Sequence, residues 1–387
     1  MNGSPRRTLV SAGAAHAIHD GYADLIYVLL PIWQVELALG YGMIAILRCF
    51  YVGAMAILQV PAGRLAEKID GRILLVIGTL LAALGYAIVG SSGGLLGLCL
   101  GLVVSGAGSS TQHPIASGAV SRAYGNAARG PLATYNFCGD IGKATVPALT
   151  SLLLTVLPWR RSLLTLSVLG LVVAVVLAFV MPRVRRAAAP AAVGPVRAAG
   201  RGGFSLLLTI GILDTGVRMG LLTMLPFLLK AKGASIPTTG LALTLVFIGG
   251  AAGKFTCGWL AARFGVLSTV LITEGGTAAL ILATLFLPLG PVLFVLPLLG
   301  VMLNGTSSAL YGTVPELARA DQLERSFAIF YTGTIGGGAV APILYGLLGD
   351  ATSPVVATIA TAATALAIVP FAIALAPRIT TTCTETA

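Results

Sequence analysis

Asp20, Asp24, Arg48, Asp140, Lys143, Asp214, Arg218, Lys254 and Glu274 are nine ionisable side chains set into stretches that otherwise read as apolar helix. Several fall one helical turn apart. His16, Asp20, Asp24 and Tyr27 recur every three to four residues, with His19 beside them, so a helix would gather them on one face. Carboxylates beside imidazoles exchange protons, because a histidine titrates near neutrality and a partly dehydrated carboxyl holds its proton more readily. Asp20 is the candidate proton-coupling residue, with Asp24, His19 and His16 as partners. The alternative is an ion pair with Arg48 or Arg218 that only stabilises packing. Imidazole and carboxylate also suit transition metals, but lone His113 is the only other histidine. No resident metal is therefore expected.

The bases point to anion recognition. Guanidinium matches the two-oxygen geometry of carboxylate, phosphate or phosphonate. Arg48 has no acid in its own stretch, so it takes a partner from elsewhere or binds one from solution. Asp140 precedes Lys143, and Asp214 precedes Arg218, by about one turn. Each pair either neutralises itself or lends its base to an incoming anion. Lys254 sits close to a loop and can snorkel out. Glu274 reads as its partner or as a second protonation site.

These residues need elements that hold them away from lipid. The chain of 387 residues is 57% hydrophobic and 10% charged, far below the charge a water-facing surface requires. A charged residue at a lipid-facing helix centre costs roughly 2.5–3.5 kcal/mol, so the nine must face a polar interior. Spans are expected near 9–37, 42–62, 73–90, 95–116, 131–157, 162–181, 205–229, 239–257, 266–287, 292–314, 327–348 and 354–376. Residues 182–203 carry five arginines and no acid, and read as a flexible cytoplasmic linker. With both termini inside, sixteen of the 24 basic residues fall on the cytoplasmic side and four outside. That bias accounts for the net charge of +11 without nucleic acid. The expected location is the inner (plasma) membrane. Of five cysteines without paired spacing, Cys49, Cys99, Cys138 and Cys257 lie in the expected spans and read as small interhelical residues, and Cys383 lies in the tail.

An offset of about 195 residues superposes two halves, 1–181 and 204–387. Gly63-Arg64-Leu65-Ala66-Glu67-Lys68 answers Gly258-Trp259-Leu260-Ala261-Ala262-Arg263, and Gly108-Ser109-Ser110 answers Thr306-Ser307-Ser308. Gly139-Asp140-Ile141-Gly142 answers Gly333-Thr334-Ile335-Gly336, and Asp20 with Pro31 answers Asp214 with Pro226. The fold expected is all-α and polytopic: twelve transmembrane helices in two pseudo-symmetric six-helix halves, with substrate near the midplane.

The segment Gly63 to Arg72 resembles the loop motif of the major facilitator superfamily, Gly-x-Leu-Ala-Asp-Arg-x-Gly-Arg. Glu67 replaces the aspartate, and Asp70 delays Gly71-Arg72 by one residue. The resemblance implies that Gly63, Glu67, Lys68 and Arg72 serve a cytoplasmic latch, a role that Ala262 in the second copy does not share. That superfamily is a standard instance of the repeat architecture. His19-Asp20, Gly106 to Pro114 and Gly139 to Pro147 are similar to the fosmidomycin-resistance branch, which implies proton-exchanging export of drugs or metabolites. Asp140 and Lys143 depart from that branch's neutral residues.

The function expected is a proton-coupled exporter of a small polar or anionic organic compound. Its substrate contacts are Arg48, Tyr27, Gln112, His113, Asp140, Lys143, Asp214 and Arg218. An importer of organic anions and a metal or metal-chelate transporter are the alternatives. No Walker lysine and no nucleophile–base arrangement is present, so neither ATP drive, a cofactor nor an enzymatic reaction is expected. The partners are protons, a small-molecule substrate and the lipid bilayer, and the chain is expected to act as a monomer.

Overall fold

A computed structural model describes residues 5–184, 202–317 and 323–380. Among these, all regular structure is helical: α1 (Pro5–Glu36), α2 (Tyr41–Leu65), α3 (Gly71–Ser91), α4 (Leu95–Ser109), α5 (Gln112–Tyr124), α6 (Arg129–Val156), α7 (Trp159–Val180), α8 (Gly203–Ala231), α9 (Ile236–Phe286), α10 (Leu289–Leu317), α11 (Leu323–Ala351) and α12 (Pro354–Thr380). A single 3-10 turn, Gly125–Ala127, joins α5 to α6. Most of the expected linker, and the tail beyond residue 380, lie outside the described residues.

One expected boundary is corrected: span four runs on past residue 116 to Tyr124. Its hydrogen-bond ladder is interrupted at Ser110 and Thr111, between α4 and α5, while both residues keep helical φ and ψ. Pro114 has no amide hydrogen, so the ladder loses a bond one turn before it. Ser110 and Thr111 satisfy freed carbonyls of α4, their hydroxyls donating to Ala107 and Gly108 at 2.7 and 3.0 Å. Spans eight and nine are two helical arms, Ile236–Ala261 and Arg263–Phe286, numbered together as α9 and separated by a sharp turn at Gly265 (φ 82°, ψ 164°). That backbone conformation is essentially confined to glycine. With α4 and α5 as one crossing and the two arms of α9 as two, the described helices supply twelve crossings.

Nine helical segments are long and apolar enough to cross a membrane by length and composition among the described residues. The three long helices that fall short are α1, α6 and α11. α1 and α6 carry the densest intramembrane polar residues of the first half. Elsewhere the exterior is apolar: Phe179, Phe286 and Phe294 are at least 80% exposed. In water such side chains would drive aggregation, whereas in hydrocarbon they cost nothing.

By residue range the chain divides into two compact units. One comprises Met1–Leu39, Ile46–Pro190 and Ser235–Thr244; the other comprises Gly40–Ala45, Ala191–Ala234 and Leu245–Ala387. Within the first unit, α1 packs mainly on α6, and α3 packs on α4 and α7. Within the second, α8 packs mainly on α11 and α12. The α1–α6 contact is close because α6 offers glycines: a Cβ on Gly142 would collide with the Ala17 carbonyl. One unit's core runs through Leu75, Ile115, Val120, Tyr135 and Leu177. The other's runs through Leu207, Ile210, Val314, Phe330 and Ile368.

Candidate functional site

The first unit gathers charge around Asp20. Its Oδ2 lies 3.2 Å from His16 Nε2, one turn back on α1, and 3.3 Å from Lys143 Nζ on α6. Its Oδ1 lies 3.9 Å from His113 Nε2 at the start of α5. His113 reaches Asp20 from the first turn of α5, just before Pro114. Gly139 on α6 makes room, because a Cβ there would come within 2.8 Å of both His16 Nε2 and Asp20 Oδ2.

The proton inventory of the cluster follows from its acceptors. His16 Nδ1 lies 2.9 Å from the Tyr135 carbonyl, which can only accept, so Nδ1 carries a hydrogen. The His16 ring also stacks on Tyr135 at 4.2 Å. Nε2 then faces a carboxylate oxygen. Two lone pairs at 3.2 Å repel, so the His16–Asp20 contact is favourable only with a proton held between them, on one partner or the other. Lys143 sits on the same oxygen as a tethered cation. Its side chain is 33% exposed, so solvent screens part of that attraction.

The remaining expected partners are placed differently. His19 is buried and turns to the opposite contact: Nδ1 meets the Ser109 hydroxyl at 2.9 Å and Nε2 the Thr79 hydroxyl at 3.1 Å. The Tyr51 hydroxyl closes this group at 2.7 Å from Ser109. His19 therefore bridges α1, α3 and α4. Gln112 is fully buried, with Nε2 donating at 3.3 Å to the Tyr135 hydroxyl and at 3.4 Å to the Ala12 carbonyl, which braces α5 against α1 and α6. Asp24 and Arg48 are both buried, and the Arg48 guanidinium lies 4.8 Å from the centre of the Tyr27 ring. Asp140 is half-buried on α6.

At the loop motif, Gly63 lies near the end of α2, and Glu67 and Lys68 are exposed. The acid that makes structural contacts is Asp70. It caps α3, its Oδ1 accepting from the Arg72 amide at 2.9 Å and from the Val184 amide at 3.0 Å. Sequence reading passes over Asp70 as an insertion; an Asp just before Gly-Arg and an apolar run is nonetheless an N-cap signal.

The second unit has its own polar group. Arg218 Nη1 donates to Asn304 Oδ1 on α10 at 3.2 Å. Asp214 is in hydrogen-bond contact with Glu274 on the second arm of α9. The Thr306 hydroxyl donates to Glu274 Oε1 at 2.6 Å and lies 2.6 Å from the Thr273 hydroxyl. Asn304 and Thr306 are site residues that charge counting misses, and their signal is a polar pair in the apolar stretch of α10. Nearby, an apolar cavity of ≈ 470 Å³ lies among α8, α11 and α12, lined by Ile212, Gly216, Gly337, Val340, Tyr345 and Thr364.

Comparison with known proteins agrees with this architecture. A bacterial homologue of the human lysosomal transporter Spinster, solved inward-facing and occupied, superposes with a TM-score of 0.81 at 13% identity, covering 98% of each chain. A point mutant of the nucleoside transporter NupG superposes with a TM-score of 0.81 at 12% identity, covering 95% of this chain and 99% of that one. Identities this low establish the shared fold alone. Among curated protein sequences, none matches this chain. The family model described as Major Facilitator Superfamily matches residues 13–209 and 204–382, which is nearly the whole length. The chain is a member of the Major Facilitator Superfamily, a multi-pass membrane transporter.

Proposed function

We propose that this transporter couples proton movement to export of a small polar or anionic organic compound, with Asp20 as the coupling residue. The observation that carries the reading is the proton required between His16 Nε2 and Asp20 Oδ2, with Lys143 at the same oxygen. Gain or loss of that proton competes with, or repositions, the charges that Asp20 and Lys143 present to substrate. Such an exchange ties the charge available to substrate to the protonation of one contact. Alternating access between two six-helix halves would expose it to each side in turn. Arg48, stacked near Tyr27, and Arg218 are the further anion contacts in this reading. The likeness of His19-Asp20 and Gly106 to Pro114 to the fosmidomycin-resistance branch supports export over import. The positive-inside bias supports an inner-membrane protein with both termini cytoplasmic.

The test uses purified full-length protein in liposomes under an imposed pH gradient, with phosphonates and carboxylates as candidate substrates. Anion-evoked proton movement that disappears in Asp20→Asn is the expected result. Full pH-driven flux in that variant would remove Asp20 from coupling.

One observation favours a second reading, transport of a divalent metal or its chelate. His16, Asp20 and His113 each offer a ligand atom, all within 4.8 Å of one another. Lys143, 3.3 Å from the same carboxylate, opposes a cation there. Flux evoked by zinc or nickel but by no anion, and abolished by His16→Ala, would replace the anion reading with this one.

A further inference from the structure

The second unit holds two carboxyls in contact where simple charge balance allows only one to be ionised. Asp214 and Glu274 are 4% and 2% exposed and meet in a hydrogen bond between their side chains. Two bare carboxylates have no hydrogen to share, so this contact requires one proton. Among the described residues, the charge acting on Asp214 is Arg218 on α8, and the Tyr311 hydroxyl on α10 is the neutral titratable group beside it. One guanidinium balances one carboxylate. A second negative charge in this enclosure would be uncompensated, which is costly away from water.

Thr306 donates to Glu274, and buried Asp214 Oδ2 has no donor unless a carboxyl proton supplies one. Arg218 directs Nη1 to Asn304 rather than to that oxygen, and its Nε is without a hydrogen-bond partner. An acceptor that a carboxyl proton would satisfy and a guanidinium held off it thus stand in one buried group.

We propose that Asp214 and Glu274 share a single exchangeable proton and form a second proton-binding site of the transport cycle, separate from Asp20. Loss of that proton draws Arg218 from Asn304 onto the two carboxylates; its return frees Arg218 again. The site deepens the proton-coupled reading above and gives the cycle a proton in each half.

The test is infrared difference spectroscopy on the intact protein in lipid, at neutral pH. The wild type is expected to show the C=O stretch of a protonated carboxyl. Asp214→Asn and Glu274→Gln should each abolish that band, because the remaining acid ionises beside Arg218. Thr306→Val should shift its frequency through the lost hydrogen bond, and Asp20→Asn should leave it in place. A wild type without the band, or a band that survives both substitutions, overturns the proposal. If neither variant folds, the wild-type band and its Thr306→Val shift decide alone. Full coupling in Asp20→Asn with the band intact would sink the Asp20 assignment and leave this site standing.

Discussion

Thr79 on α3 and Glu274 on the second arm of α9 lie 195 residues apart, the offset that superposes the halves. In the first unit, Thr79 and Ser109 hold His19 between three helices with neutral hydrogen bonds. In the second, Thr306 donates to Glu274, which in turn meets Asp214, carboxyl against carboxyl. The reverse holds one face over. Asp20 receives Lys143 and two histidines, whereas the position answering Lys143 in the second half is Gly337, where an apolar cavity lies. One scaffold thus carries opposite electrostatic arrangements: a basic ring around one acid, and an acid pair beside one base.

The comparison can be broken most severely at the glycines. Gly142 underlies the α1–α6 contact and Gly337, 195 residues on, approaches the Ile212 carbonyl of α8, whereas a Cβ on the adjacent Gly336 meets nothing within 4 Å. Gly142→Ala should destabilise by about 3 kcal/mol, read as a large fall in the temperature of aggregation, while Gly336→Ala stays near wild type. Equal tolerance at both positions would refute the close α1–α6 packing. The turns between helices come next. Asp70 caps α3, and Gly265, again 195 residues on, turns the kink of α9. Gly265→Ala should cost about 2 kcal/mol from backbone strain, and Asp70→Ala about 1 kcal/mol from the lost cap, both measured as thermal stability. If Asp70→Ala proved the costlier, the two turns would not depend on different devices.

Charge effects should appear in flux rather than in stability. Lys143→Met is expected to lower proton-driven flux at least about tenfold, equivalent to about 1.4 kcal/mol, with little loss of folded protein. Flux at the wild-type level would show that Asp20 needs no tethered cation. The smallest effect is expected at Thr79→Val. It removes one hydrogen bond to His19 and should cost about 1 kcal/mol of stability, leaving the pH dependence of transport unchanged. A shifted pH profile would instead make His19 part of the coupling route.

The membrane class was legible from composition, and the repeat from matched glycines, prolines and aspartates. Helical periodicity also placed His16 beside Asp20 correctly, because contacts one turn apart are set by the helix itself. It could not tell which neighbouring helix each polar face meets. For that reason His19, one residue from Asp20, serves a different contact, and Glu274 pairs with an acid that sequence reading assigned to Arg218. His113 reaches the cluster from another helix, a tertiary contact that periodicity along one helix does not reveal. The linker between the halves lies mostly outside the described residues.

α1 and α6 fall short of membrane-spanning apolarity by themselves, and Asp20 meets Lys143 across 123 residues of sequence. During synthesis α1 therefore emerges long before the helix that neutralises it. Its charged face must shelter in the insertion machinery, or at the membrane interface, until α6 has been made. Chains arrested between the two would present an unmatched carboxylate and two histidines to lipid, a surface that quality-control proteases can read. The acid and the base that meet in the folded transporter are thus made far apart in time.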